Sequence, residues 1–279
     1  LFNLMIKTKK NLIIFMPFIG GGGVEKNLFI IANHLSKKFK KIKICTLSRK
    51  KLGEFNSKIK YLGPKKNINE KINIKVKYLI SLFILFRFLI KNKNSTVFAF
   101  QANIYCIVLC KLLKVKIIVR SNSSPSGWYH NFFKKIIYKY LISKADCVIV
   151  NSIEFKKQMQ KKFNIFVNCI FNPLDLKKIR KLSNSGLADP FFNKNKCLKL
   201  INLGRFTDQK DQITILKACK ILKDKLNFRL LIFGRGIEKN NMQKFIFDND
   251  LNKNVKLRNF VENPYKAISQ SDIFILSSK

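Results

Sequence analysis

The sequence predicts an α/β protein with two parallel sheets in succession. Three observations point there: short apolar runs alternate with amphipathic stretches, glycine-rich or polar loops follow several of those runs, and the pattern breaks once before restarting. Residues 11–17 (NLIIFMP) form an unbroken apolar run that reads as a buried strand. Four glycines follow at 20–23, and residues 24–39 then carry Val24, Leu28, Ile31, Ala32 and Leu35 at helical spacing. Residues 43–47 (KICTL) read as a second strand, and residues 75–90 as a helix with a broad apolar surface. Strands at 96–100 (TVFAF), 115–120 (VKIIVR) and 147–151 (CVIVN) alternate with helices at 102–113, 132–143 and 153–163.

A break follows. Asn172-Pro173 is a turn signal, and residues 177–196 are polar and irregular, with Asn184, Ser185, Gly186, Asp189 and Pro190 among them. The alternation then resumes, with strands at 198–203, 228–233, 255–257 and 272–277 and helices at 213–222, 239–248 and 264–269. The expectation is two Rossmann-like domains, residues 1–175 and 197–279, joined by a linker over 176–196. The last strand runs into a loop with no closing helix, so the second domain is expected to be incomplete, and with Leu1 in place of a methionine the chain reads as a fragment or an incomplete gene product. In open parallel sheets ligands bind beyond the carboxyl ends of the strands, which directs the search for chemistry to the loops that follow them.

Composition narrows the classes. A hydrophobic fraction of 47% supplies buried cores and excludes a disordered chain, and 11 Gly with 6 Pro in 279 residues exclude a collagen-like one. The formal charge of +41 invites a nucleic-acid partner. Against that, 48 of the 56 cations are Lys, whereas Arg makes the bidentate contacts to bases and phosphates, and the lysines spread along the whole chain. Abundant Lys, Ile, Phe and Asn match the coding bias of an A/T-rich genome, and a cationic surface also suits anionic lipid headgroups. No nucleic acid is expected. Seven cysteines without metal-ligand spacing, an odd count and no secretion signal point to reduced, packed thiols in a cytoplasmic protein. Residues 78–90 (YLISLFILFRFLI) are too short to span a bilayer, which takes about 20 apolar residues; they pack on a sheet or insert shallowly into a membrane surface. His34, within the first helix, and His130 read as structural, and no Ser-His-Asp set is identifiable.

Four loops carry candidate chemistry. Residues 20–25 (GGGGVE) lie between strand and helix, where glycine lets backbone approach an anion and the helix start presents unpaired N–H groups; a tight structural turn is the other reading. Residues 204–211 (GRFTDQKD) flank the end of a strand with Arg205 and Lys210. Such a pair either holds a diphosphate, at roughly 4 kcal/mol per charge pair at 4 Å and an effective dielectric of 20, or is two more solvated cations. Gly234 and Gly236 after FRLLIF leave room for a nucleoside. Residues 120–125 (RSNSSP) offer small polar groups to a sugar, or make an ordinary turn.

Taken in order, these pieces resemble the retaining glycosyltransferases of family 4, glycosyl transferases group 1, with the GT-B fold. GGGVEKNLFIIANHL matches the family's glycine loop with its following acidic residue, and residues 145–152 (ADCVIVNS) its "aDxviaxS" segment. Asn172-Pro173-Leu174-Asp175 matches "NPxD", Gly204-Arg205 through Lys210 "GRxxxxK", and Gly234 with Gly236 "GxG". The stretch FVENPYKAISQSDIFILSS is similar to the family's approach to its donor-sugar site.

The resemblance implies a nucleotide-sugar donor whose diphosphate is held by Arg205 and Lys210 and approached from the other domain by backbone at Gly22 and Gly23. Gly234, Gly236, Phe260 and Val261 would border the nucleoside, and Arg120 and Asn122 would face the acceptor or the transferred sugar. No catalytic residue is assigned, no cofactor is implied, and the Arg/Lys pair makes the reaction metal-independent. The family's Glu-x7-Glu motif begins beyond a segment like 274–279, where this chain ends, and RSNSSP has no match to the histidine often found in the first-domain sugar loop. The expected activity is transfer of a hexose-type unit, with retention, to a glycan or lipid-linked acceptor in cell-envelope polysaccharide or lipopolysaccharide synthesis. It would take place in the cytoplasm at the inner face of the membrane, with an anionic membrane surface as partner. The alternatives are an epimerase-like or phosphorylase-like GT-B enzyme and a non-catalytic basic protein that binds membrane or nucleic acid.

Overall fold

The computed structural model describes residues 11–20, 22–66, 68–69, 72–122, 132–186, 189–192 and 196–279. The chain forms two compact units, Leu1–Leu174 and Asp175–Lys279.

The strands of the first unit are β1 (Asn11–Phe15), β2 (Ile42–Cys45), β3 (Ile59–Leu62), β4 (Ser95–Ala99), β5 (Lys116–Ser121), β6 (Cys147–Val150) and β7 (Asn168–Cys169). They make one sheet in the order β3-β2-β1-β4-β5-β6-β7, parallel throughout. Its helices are α1 (Gly23–Leu35), α2 (Ile74–Lys91), α3 (Asn103–Leu112), α4 (Phe132–Ser143) and α5 (Ile153–Phe163). Successive side chains of a strand point to opposite faces, so a sheet covered on both sides needs unbroken apolar strands. β1 meets that demand: Ile13 and Phe15 pack with Leu85 and Leu89 of α2, Cys106 and Ile107 of α3, and Ile142 of α4. Leu12 and Ile14 turn the other way, onto Leu28 and Ala32 of α1. Helices α2, α3 and α4 thus share one face, and α1 covers the opposite one.

The second unit holds α6 (Leu176–Asn184), β8 (Leu198–Leu203), α7 (Gln212–Leu222), β9 (Phe228–Phe233), α8 (Lys239–Asp248), β10 (Val255–Arg258), α9 (Tyr265–Ser269) and β11 (Ile273–Phe274). The four strands are parallel in the order β10-β9-β8-β11. Leu200, Leu230 and Ile232 pack against Leu216 and Met242 on one face, while Ile201 and Leu231 meet Phe192 on the other.

Two differences from the sequence reading concern local order. Residues 177–196, expected to be irregular, begin with helix α6, whose start is capped by the Asp175 carboxylate accepting from the Lys178 amide at 3.0 Å. Asn263 donates to the Leu182 carbonyl at 3.0 Å and so ties α6 to the start of α9. Further along, Asp189 takes a bidentate pair of hydrogen bonds from Arg258, at 2.8 and 3.0 Å, and the Phe191 carbonyl accepts from Arg229 at 2.7 Å. The second difference is that β3 and β7 extend the first sheet at its two edges, where no strand was expected.

All seven cysteines are free thiols, and burial pushes Cys219 up to about 11 and Cys45 higher still. No helix among the described residues is long and apolar enough to cross a membrane.

Candidate functional site

Strand order dictates where each unit can bind a ligand. Where the order reverses, the helices after two neighbouring strands leave for opposite faces, and a crevice opens at the carboxyl edge. In the second sheet that point lies between β8 and β11, and the loops that flank it are 204–211 and 275–279.

These two loops are joined by hydrogen bonds. Lys210 Nζ donates to Ser278 Oγ at 3.2 Å, Ser277 Oγ donates to the Lys210 carbonyl at 2.9 Å, and the Lys279 amide donates to the Gln209 carbonyl at 3.1 Å. Lys279 Nζ also pairs with Asp208 at 2.6 Å, which raises the Lys279 pKa. The buried Gln212 side chain donates to the Arg205 carbonyl at 3.0 Å and fixes the backbone that carries Arg205. The Arg205 side chain itself is exposed and has no ion-pair partner among the described residues. Arg205 and Lys210 thus stand on one braced loop at the crevice, with two serine hydroxyls opposite. Beside this loop Thr207, Asp208, Asp211, Gln212, Glu238 and Lys279 line a pocket of ≈ 250 Å³. Its three carboxylates outnumber its two lysines, Lys217 and Lys279, and suit a diphosphate poorly, which leaves the Arg205 and Lys210 side of the loop for an anion.

The neighbouring loops at this edge interlock. The Phe206 amide donates to the Arg235 carbonyl at 2.9 Å, and the Glu238 amide to the Phe206 carbonyl at 3.2 Å. A Cβ on Gly234 would overlap the Gly204 carbonyl, and Gly236 has φ +156° with the Phe206 backbone against it. The two glycines therefore serve backbone-to-backbone packing of the β8 and β9 loops, a requirement separate from space for a nucleoside. Beyond β10, Phe260 and Val261 are exposed, and the Arg235 guanidinium lies 5.2 Å from the centre of the Phe260 ring. The edge presents a flat aromatic and cationic surface next to the Arg205 loop.

In the first sheet the order reverses between β1 and β4, so the glycine loop and residues 100–103 flank its crevice. Gly22 caps α1 without a side-chain hydrogen bond, and a Cβ on Gly23 would meet nothing within 4 Å. The first turn of α1 is therefore open to a ligand. One internal group reaches toward it: the Glu25 carboxylate accepts from the Gly20 amide at 3.3 Å and sits close to Gly22. An anion approaching Gly22 would meet that carboxylate. Gly21 lies outside the described residues, as do residues 123–131 with His130.

Arg120 and Asn122 are placed differently from each other. Arg120 is 1% exposed. Its Nη2 donates to Asn172 Oδ1 at 2.8 Å and to the Ile170 carbonyl at 3.3 Å, its Nε has no partner, and burial lowers its pKa. It braces the end of β5 against the segment after β7. Asn122 is half-buried and leans on the Phe100 carbonyl at 3.5 Å.

Sequence reasoning passed over three further amides here. Gln101 Oε1, Asn103 Oδ1 and Asn151 Oδ1 are shielded from solvent and accept no hydrogen bond. Each such acceptor costs about 1–3 kcal/mol if nothing donates to it. Their signal in the sequence was position alone: each follows the end of β4 or β6 by a few residues. Among the described residues no three His, Cys, Asp or Glu side chains group so as to hold a metal ion.

Comparison with known proteins agrees with this layout. Residues 189–279 match the family model described as glycosyl transferases group 1. A protein of Methanocaldococcus jannaschii named as an uncharacterized glycosyltransferase is 33% identical over 185 residues, 62% of this chain and 46% of its own length. The N-acetylgalactosamine-N,N'-diacetylbacillosaminyl-diphospho-undecaprenol 4-alpha-N-acetylgalactosaminyltransferase of Campylobacter jejuni is 26% identical over 288 residues, 95% of this chain and 73% of its own. The chain thus spans about half the length of the first of these relatives and about three quarters of the second. Among solved structures, HepE of Anabaena in complex with UDP-glucose superposes with TM-score 0.71 at 12% identity, covering 96% of this chain and 74% of that one. TarM does so with TM-score 0.69 at 13% identity, covering 98% and 81%. The chain has the GT-B fold, and residues 189–279 of its second unit are similar to the glycosyl transferases group 1.

Proposed function

We propose that the protein is a glycosyltransferase that moves a sugar from a nucleotide-sugar donor to a glycan or lipid-linked acceptor, with retention and without a metal ion, in cell-envelope polysaccharide synthesis. The observation that carries this reading is the braced loop with Arg205 and Lys210 at the crevice of the second sheet. Two cations there gain most when the leaving diphosphate gains charge, which is how a fixed charge lowers a barrier rather than only tightening binding. HepE was solved with UDP-glucose, and the Campylobacter relative is named for a diphospho-undecaprenol-linked acceptor. Both names support a nucleoside diphosphate on one side and a lipid-linked glycan on the other. The Arg235 and Phe260 surface suits the nucleobase, and the half-buried amides of the first sheet suit neutral hydroxyl groups better than phosphate. The place of action is the cytoplasmic side of the membrane.

The test is turnover of a labelled nucleotide sugar, with and without acceptor, by the intact protein. Arg205→Ala or Lys210→Ala should each lower donor turnover at least tenfold. Unchanged kinetics in both removes the diphosphate assignment. A labelled product that forms equally well without acceptor points instead to an epimerase-like enzyme of the same fold.

A further inference from the structure

Helices α2, α3 and α4 lie side by side on one face of the first sheet, with α3 packed between the other two. Their inner sides fill the core, yet their outer sides are not polar. On α2, Leu79 is 67% and Phe83 57% exposed; on α3, Tyr105 is 58% and Leu112 77%; on α4, Ile137 is 54% and Tyr140 59%. Tyr78 and Tyr105 carry the apolar surface across the α2–α3 boundary, their rings 6.4 Å apart.

The charges on these helices have one sign. None of the three contains Asp or Glu, while Lys75, Arg87, Lys91, Lys135 and Lys139 lie on them and Lys144 follows α4; Lys111 of α3 is paired with Asp146 at 2.8 Å. Lys144 Nζ sits 4.8 Å from the Tyr140 ring and the Arg87 guanidinium 5.8 Å from the Phe83 ring, so cations are interleaved with the exposed aromatics. Helix α1 on the opposite side differs: it carries Glu25 in its first turn.

We infer that the α2–α3–α4 face docks on an anionic lipid bilayer, with Leu79, Phe83, Leu112 and Ile137 entering the headgroup–acyl boundary and the surrounding lysines meeting lipid phosphates. Exposed apolar side chains that adjoin across three neighbouring helices mark an interaction surface. Its excess of positive charge selects the partner: a bilayer with anionic headgroups satisfies apolar burial and charge together, as interfacial amphipathic helices do. A second copy of the chain would bring like charges together. Because each of these helices runs back from the carboxyl edge of the sheet, Tyr105 and Ile137, in the first halves of α3 and α4, lie on the side where the glycine loop and the amides are. That adds a route to the proposed function: a lipid-linked acceptor lies in the surface on which the first sheet rests.

The experiment is co-sedimentation of the intact protein with vesicles of phosphatidylcholine alone and with phosphatidylglycerol added, at low and high salt and without donor or acceptor. Binding should appear with the anionic vesicles and fall at least fivefold at high salt. It should also fall at least fivefold in Leu112→Glu, Ile137→Glu and Lys135→Glu/Lys139→Glu. Phe247→Glu, at a position 73% exposed in the second unit, should bind as the parent does. Circular dichroism melts check that each variant is folded; these side chains face outward, so their replacement should leave the core intact. Indifference to both vesicles overturns the inference, as does equal binding by all variants. A dimer in sedimentation velocity that Ile137→Glu dissolves also overturns it, in favour of self-association. The assay contains no sugar, so its failure leaves the transferase reading untouched, and loss of turnover in Arg205→Ala leaves the lipid contact untouched.

Discussion

The carboxyl edges of the two sheets are built from different chemistry on the same plan. At the second edge the side chains that face the crevice are cations on short, cross-braced loops: Arg205 exposed, Lys210 tied to Ser278, and Arg235 over Phe260. At the first edge unpartnered amide oxygens of Gln101, Asn103 and Asn151 gather, the Glu25 carboxylate accepts from the Gly20 amide, and Arg120 is turned inward to hold Asn172. Fixed charge is retained where a phosphate would sit. On the proposed reading, the neutral amides of the first edge would face sugar hydroxyls, which a full charge would hold with less directionality. The comparison also separates two uses of arginine. Arg205 spends nothing on the fold, and Arg120 spends its Nη2 on it.

The largest effect that tests this contrast is on stability. Arg120→Ala removes a buried guanidinium and orphans Asn172 Oδ1, and should cost the first unit about 3 kcal/mol. Gly234→Ala drives a methyl into the Gly204 carbonyl and should cost the second unit a similar, about 2–4 kcal/mol. Thermal and denaturant melts read both. If Arg120→Ala instead melts like the parent and only raises the acceptor KM, the side chain faces the ligand and the contrast between the two arginines is lost. Next comes turnover: an Arg205→Ala/Lys210→Ala double variant should melt normally while its turnover falls more than in either single variant.

A smaller effect concerns the brace between Asp189 and Arg258. The Arg258 hydrogen bonds hold the Asp189 carboxyl below its usual range. A depressed folded-state pKa means that the pair stabilises the protein above the ordinary aspartate pKa, and that this contribution fades as pH falls through the depressed value. Asp189→Asn should therefore lower stability by about 0.5–1 kcal/mol at neutral pH, discounted for the exposure of Arg258. The difference from the parent should close in acid; a gap that stays constant down to pH 2 means the ion pair is not its source. Smallest of all is Gly23→Ala, which meets open space and should change stability by under about 0.5 kcal/mol.

What was legible in the sequence follows from how far each feature depends on distant residues. Strands such as LIIF in β1 and LLIF in β9 announce themselves, because burial on both faces forces an unbroken apolar run. β3 (IKYL) and β7 (NC) sit at the sheet edges, are short and half exposed, and carry no such run. Helix α6 (LKKIRKLSN) buries none of its residues, so composition reads it as linker. On the site side, Gly and cationic residues just after a strand were visible as candidates. The roles of Gly234 and Gly236 in packing against 204–206, the inward turn of Arg120 and the three amide oxygens were not. Each depends on hydrogen bonds or contacts between loops that lie tens of residues apart, as Arg120 and Asn172 do at a separation of 52.

The meshing of the 204–206 and 234–236 backbones has a consequence for anyone wishing to redesign what this edge accepts. Because the Arg235 carbonyl accepts from the Phe206 amide and the Phe206 carbonyl from the Glu238 amide, the two loops behave as one mechanical part. A bulkier or differently shaped group introduced on either side pushes its neighbour out of line. New selectivity will come from paired substitutions made together, or from outlying positions such as Phe260 that lie clear of the mesh.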